Sequence, residues 1–233
     1  MKILYILSSF NKYSGTPKKT LDLINHSKNK SFLYVYYKNH LECKKDFAIR
    51  SEEIIEGYYN NNIYKHIREL LNFIDKNNIQ VIQTQFFMGE LLGSIIKILR
   101  PEIKLIITFV GSSSPKGIKY IFSSLFYRNT NYFIYISNYV KKEKINKFKV
   151  LKNKNSEVIY HGTSKRKILD NTKELALKSI SLIDVASLIE CKNAIILIEA
   201  INIIINIKKH KSIYLYLIGD GDKKDYLQKN IEK

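Results

Sequence analysis

Short apolar runs alternate with longer segments of helical period almost from one end of the chain to the other, and this pattern limits the fold more than any other feature. Residues 3–7, Ile-Leu-Tyr-Ile-Leu, read as a buried strand. A loop from Ser8 to Gly15 follows, then Thr16-Pro17, an N-cap with proline at the first helical position. Residues 32–37 read as a second strand. Ile63, Ile67, Leu70, Leu71 and Ile74 recur at i, i+4, i+7, i+8 and i+11, one face of a helix, and 79–84 returns to strand. The alternation continues with helix 89–99 closed by Pro101, strand 105–109, helix 117–127, strand 132–136, helix 138–148 and strand 158–160. Elements in this order call for a parallel sheet covered by helices on both faces, an α/β fold.

The pattern lapses at 161–178, a polar and basic stretch that reads as a linker, and resumes with strand 180–186, an apolar helix over 193–208, strand 213–218 and a helix beginning at 223. The expected organisation is a first domain over 1–160, the linker, and a partial second domain over 179–233. Hydrophobic residues at 45% and aromatics at 12% exclude a disordered tail, and only three Pro and nine Gly leave most of the chain to regular elements. Cys43 and Cys191 stand far apart with no Cys-x-x-Cys and no histidine cluster, so neither a disulfide framework nor a metal site is expected. Residues 3–7 are too short for a signal segment and no apolar run is long enough to span a bilayer, which leads us to expect a cytoplasmic protein, with the inner face of the membrane as its one other setting.

Charge is the unusual bulk property. Lys and Arg number 39 against 21 Asp and Glu, so 39 − 21 gives +18. Arg occurs at positions 50, 68, 100, 128 and 166 alone, and the chain is crowded with Lys, Ile, Asn and Tyr, all residues of A/T-rich codons. The excess therefore has two readings, codon bias and attraction to an anionic membrane surface. Sequence-specific nucleic-acid binding is not expected, since Arg, the usual reader of base edges, is scarce.

Chemistry in an open parallel sheet lies beyond the carboxyl ends of the strands. The Ser8 to Gly15 loop before a helix N-terminus is suited to an anion and equally to a plain connection. Gly111-Ser112-Ser113-Ser114-Pro115 offers small hydroxyls to a sugar or phosphate, or is a polar turn. Three later segments occur together and in order: Val158 to Thr163 with its His161-Gly162 turn, Val185 to Asn193 with Lys192 just before an apolar helix, and Tyr214 to Asp222 ending in Gly219-Asp220-Gly221. A strand, a cation at a helix N-terminus and a second strand ending in Gly-x-Gly supply what a pyrophosphate needs: positive field, N–H donors and close backbone approach.

Taken in sequence, these segments resemble the family 4 glycosyltransferases of the GT-B fold, two Rossmann-like domains facing each other across a cleft. The opening strand with Ser14-Gly15-Thr16 resembles that family's glycine loop; Ile136 to Val140 resembles the strand-to-helix segment late in the first domain; Val185 to Asn193 resembles the segment whose cations grip the donor pyrophosphate. Glu199-Ala200 and Ile218 to Gly221 follow at the expected distances. The resemblance implies transfer of a hexose from a nucleotide sugar to a glycan or lipid acceptor, with retention and without a resident cofactor, in polysaccharide biosynthesis. It implies donor contacts at Gly15, Thr16, Ser187, Lys192, Gly219 and Gly221 and acceptor-side contacts at Gly111 and Ser112.

Several positions depart from the family pattern. Ser187 stands where an Arg is usual, Val110 where a His is usual, and His161-Gly162-Thr163-Ser164 lacks the usual Asn and Asp. No two Glu in the sequence stand eight positions apart, the spacing of the family's paired glutamates, so no catalytic residue is assigned. The resemblance therefore leaves two expectations: a sugar-transferring enzyme, or a truncated, non-catalytic relative or partner subunit whose second domain a separate chain would complete.

Overall fold

The apolar runs of the first two thirds become seven strands: β1 (Lys2–Leu7), β2 (Lys30–Val35), β3 (Glu53–Glu56), β4 (Val81–Thr84), β5 (Lys104–Phe109), β6 (Tyr132–Tyr135) and β7 (Ser156–Val158). They form one parallel sheet in the order β3-β2-β1-β4-β5-β6-β7. The computed structural model describes residues 1–11, 14–38, 41–162, 180–209 and 212–231. The chain divides into two units, Met1–Lys165 and Arg166–Lys233. Apart from His161 and Gly162, the expected linker at 161–178 lies outside the described residues, as does the end of the last expected helix.

In the first unit the helices are α1 (Gly15–His26), α2 (Lys44–Arg50), α3 (Ile63–Asn77), α4 (Phe86–Leu99), α5 (Ile118–Asn129) and α6 (Asn138–Lys147). The strand period of two sends neighbouring side chains to opposite faces, and in β1 both faces are buried. Leu4 and Ile6 join a core with Leu70 and Phe73 of α3 and Leu92 and Ile96 of α4, whereas Tyr5 and Leu7 pack with Ile24 of α1 and Phe47 of α2. The chain runs outward from β1 to β3, returns through α3 to β4, and then runs the other way. The loops after β1 and β4 thus diverge at the middle of the sheet, where such sheets open a crevice.

The core also holds a closed polar network. His66 is buried, with Nε2 3.0 Å from the Asn60 carbonyl and Nδ1 2.7 Å from the Tyr34 hydroxyl. A carbonyl can only accept, so Nε2 carries the proton and Nδ1 accepts from Tyr34.

Several elements differ from the sequence expectation: β2 runs from Lys30 to Val35 in place of 32–37, and α4 begins at Phe86 in place of residue 89. Helix α1 begins at Gly15 with Ser14 as N-cap, so Pro17 is its third residue, still within the first turn, where the missing N–H leaves no helical bond unmade. Segment α2 and strand β3 were not foreseen; Glu53-Ile54-Ile55-Glu56 is a short edge strand with charged ends and little apolar signal. Strand β7 is Ser156–Val158 in place of 158–160, because its partner β6 ends at Tyr135, opposite Val158. The apolar helix expected over 193–208 starts later, since Asn193 has φ 53° and cannot continue a helix, and its last turns widen to a π-type segment at Ile203–Ile207.

The second unit pairs β8 (Ile180–Val185) with β9 (Ile213–Ile218) in parallel, Ile180 opposite Ile213, with α7 (Ile195–Asn202) between them in sequence and α8 (Lys224–Ile231) after. Its described core is small: Leu188, Ala194 and Leu227, with Ile195, Ile198 and Leu217 against them.

Candidate functional site

In the second unit, the loops that leave β8 and β9 are zipped together by their backbones. Ala186 N–H donates to the Ile218 carbonyl at 3.1 Å and Leu188 N–H to the Asp220 carbonyl at 2.9 Å, so Ser187, between them, lies against the Gly219-Asp220-Gly221 loop. The two glycines are what allow this approach. A Cβ on Gly219 would stand 1.8 Å from the Ala186 carbonyl oxygen, and one on Gly221, whose φ is 159°, 2.3 Å from that of Leu188. The Gly-x-Gly thus has a packing reason of its own, and the Gly221 N–H is held by Asp220 Oδ1 at 3.0 Å. Lys192 is exposed on the short turn Glu190–Lys192, three residues ahead of α7, and Lys223 pairs with Glu190 at 2.6 Å behind it. Ser187, Gly219 and Gly221 therefore lie together at the carboxyl ends of two adjacent parallel strands, and Lys192 stands further along the loop that leaves β8.

Gly15 and Thr16 belong to the first unit, at the start of α1, where a Cβ on Gly15 would meet nothing within 4 Å. The Thr16 carbonyl accepts from Thr20 Oγ1 at 3.0 Å, the ordinary bond of a helical threonine. Residues 12 and 13 of the loop before them lie outside the described residues.

Beyond the carboxyl end of β5 a groove of about 430 Å³ is lined by Gly111, Ser113, Ser114 and Pro115 from the loop, Phe86, Phe87 and Glu90 from α4, and Tyr127 and Lys144 from α5 and α6. Gly111 lines this groove; Ser112, its neighbour, is exposed and lends its carbonyl to Ser114 Oγ at 3.4 Å. The groove's chemistry comes from residues that carry no sequence signal. Glu90 is buried, accepts from the Tyr127 hydroxyl at 3.1 Å, and is pushed up to about 7 by burial against the opposing pull of Tyr127 and the Lys144 charge. Burial lowers the Lys144 amine, which Glu90 draws back; its Nζ donates to the Ser113 carbonyl and to Ser114 Oγ at 3.3 Å, 4.8 Å from the Phe109 ring centre.

Phe86 opens α4 with φ 62°, a left-handed conformation that is strained for a bulky residue and costs on the order of 1–3 kcal/mol. It is exposed on the groove rim. A buried carboxylate, a buried amine and aromatic walls make a concave site suited to a polyhydroxylated ring: hydroxyls donate to Glu90, accept from Lys144, and C–H faces lie on phenyl rings.

A second groove in this unit, about 380 Å³, is lined by Lys19 and His26 of α1, Gln83, Ile134 and Tyr160-His161-Gly162. Burial lowers Lys19 to about 8, and burial followed by the Lys19 charge lowers His161. Sequence reasoning missed Glu90, Lys144 and Lys19 because a single Glu or Lys in a helix reads as a solvated face until its burial is known. No group of histidines, cysteines and acids able to hold a metal ion occurs among the described residues.

No protein-family model matches the chain, and no curated protein matches it by sequence. Solved structures do. A glycosyltransferase from Rickettsia africae ESF-5 superposes with a TM-score of 0.77 at 14% identity, covering 99% of this chain and 64% of that one. Anabaena Alr3699/HepE, solved in complex with UDP-glucose, gives 0.75 at 15% identity, covering 100% and 65%. The sucrose-phosphate synthase of Thermosynechococcus elongatus gives 0.69 at 10%, covering 100% and 68%. The fold is α/β of the GT-B type, its structural neighbours are glycosyltransferases, and the chain spans just under two thirds of the length of the Rickettsia and Anabaena chains.

Proposed function

We propose that the chain takes part in glycosyl transfer from a nucleotide sugar to a hydroxyl of a glycan or lipid acceptor. The observation that carries this reading is the meeting of Ser187, Gly219 and Gly221 at the ends of β8 and β9, with Lys192 further along the loop that leaves β8, in a fold shared with proteins one of which was solved with UDP-glucose. The nucleotide diphosphate lies over that end of the second unit. Lys192 supplies positive charge to the pyrophosphate as it becomes the leaving group, and the Ser187 hydroxyl donates a hydrogen bond to a phosphate oxygen.

The acceptor occupies the Glu90 groove of the first unit, beside Gly111 and Ser112, and Gly15 and Thr16, at the start of α1, are the first unit's own candidates for an anion. The reading is of the family 4 type, with retention of configuration and no resident cofactor, because the nucleotide sugar brings its own activated bond. Orientation is the main work of such a site, since holding reactants in a near-attack geometry can supply ~7–11 kcal/mol of the barrier.

Calorimetric titration with UDP, and with GDP and ADP for comparison, tests the reading. One of these nucleotides is expected to bind, and Lys192→Ala to weaken it by ~1.5–3 kcal/mol, the range for a charge-assisted contact. Thr20→Ala, which removes only the bond to the Thr16 carbonyl and a 3.3 Å bond from Gln85, should leave nucleotide affinity unchanged. Equal affinity in the Lys192 variant and the parent, or no nucleotide binding at all, would refute the assignment.

A further inference from the structure

Helix α5 is apolar on the wrong side as well as the right one. Ser123, Phe126 and Tyr127 face the core, yet Ile118, Ile121, Phe122 and Leu125, at i, i+3, i+4 and i+7, are 68%, 60%, 44% and 48% exposed. At 100° per residue these four form one stripe on the side of the helix turned away from the sheet. A contiguous apolar stripe of this kind on a folded surface marks a contact.

What flanks the stripe identifies the partner. On one edge Lys119 reaches over the Phe87 ring, 5.4 Å from its centre. On the other, the segment that follows α6 is tied to α5: the Tyr120 hydroxyl donates to the Lys147 carbonyl at 2.9 Å, the Tyr120 and Phe148 rings stack at 4.7 Å, and Lys154 Nζ donates to the Arg128 carbonyl. That segment places Lys147, Lys149, Lys152 and Lys154 beside the helix, with Lys116 and Arg128 at its two ends. Across 112–131 and 144–156 the sequence has eight Lys and Arg and no Asp or Glu. Glu143 and Glu157 lie just outside these windows and Lys144 is buried, but the remaining cations leave the stripe with a positive surround, the pattern of a helix lying in a membrane interface, rings and aliphatics among the acyl chains and amines among anionic headgroups.

We infer that the exposed face of α5, with the cations beside it, docks this protein on an anionic lipid surface. No described helix is long and apolar enough to cross a membrane, so the contact is interfacial. Pro115, three residues before α5, and Lys119 on its first turn both line the Glu90 groove, so docking brings the groove rim to the bilayer surface, where a lipid-borne acceptor presents its sugar. That last consequence rests on the proposed transfer reaction; the docking does not.

Co-sedimentation with phosphatidylcholine vesicles, with and without phosphatidylglycerol, tests the docking. Binding is expected with the anionic vesicles, at least about tenfold weaker with the neutral ones, and falling as salt rises. Ile121→Ser with Phe122→Ser should lower partitioning about tenfold or more, a thermal melt of the same variant checking that it stays folded because Phe122 is 44% exposed and also stacks on Phe126, while Ile49→Ser on α2 should have no effect. Lys149→Glu with Lys152→Glu should weaken anionic binding while leaving the neutral background as it is. No pelleting with anionic vesicles, indifference to the serine pair, or a serine pair that abolishes self-association in place of vesicle binding would each overturn the proposal. UDP affinity, read on the same samples, separates the two claims: vesicle binding without nucleotide binding keeps the docking and loses the transfer reaction, and the reverse does the opposite.

Discussion

Glu90 is a carboxyl whose ordinary value of 4.5 is raised to about 7 because its ionised form has one hydroxyl donor and little water. Between those two values the folded chain holds a proton that the unfolded chain has released. Stability from this group is therefore complete below about pH 4.5 and is lost as pH rises through about 7. Glu90→Gln keeps the acceptor for Tyr127 and never ionises. Urea unfolding should show the variant more stable than the parent at about pH 8, by about 2–3 kcal/mol, with the difference gone below about pH 5. A parent whose stability does not fall across that window would mean that the groove is wetter than its geometry indicates. The same proton matters to the proposed acceptor contact, since a neutral carboxyl can donate to a hydroxyl and an ionised one only accepts.

At the scale of elements, the loops after β8 and β9 are held by three backbone bonds, Ala186 to Ile218, Leu188 to Asp220 and Lys223 to Leu188. Gly219→Ala puts a methyl into the Ala186 carbonyl, and backbone cannot step aside cheaply. We expect a loss of about 2 kcal/mol or more, seen as faster hydrogen exchange at the Leu188 and Lys223 amides. Gly111→Ala, where a Cβ would meet nothing within 4 Å, should change exchange nowhere in the first unit. These loops also show what a sequence can and cannot disclose. The run that became β1 was legible because burial on both faces leaves an unbroken apolar signal; the run that became β9 is equally apolar in sequence, yet Tyr214, Tyr216 and Ile218 stand exposed on one face. Strand β3 and helix α2 were not legible, since an edge strand with glutamates at both ends and a helix burying only Phe47 leave almost no such signal. The glycines near Ser187 were visible as a pattern, but their steric cause needed coordinates. The Glu90 and Lys144 pair arises from helices far apart in sequence, which no local spacing encodes.

For the whole molecule, the uneven distribution of burial decides how it unfolds. In the first unit two apolar cores on opposite faces of a seven-stranded sheet share β1 and β2, so the sheet cannot come apart without exposing both. In the second, two strands and a small described core around Leu188, Ala194 and Leu227 leave most of β8 and α7 facing outward. Apolar burial contributes about 25 cal/mol per Å², so the second unit has far less to set against the entropy of ordering its backbone. Unfolding should accordingly occur in two steps, the second unit opening first. Hydrogen exchange in increasing urea should release the amides of β9 before those of β1 and β4, and circular dichroism should show a small early transition ahead of the main one. The variants then assign the steps: Gly219→Ala should move only the early transition, and Glu90→Gln only the late one, at about pH 8. A single cooperative transition shifted by both variants would overturn this two-step order.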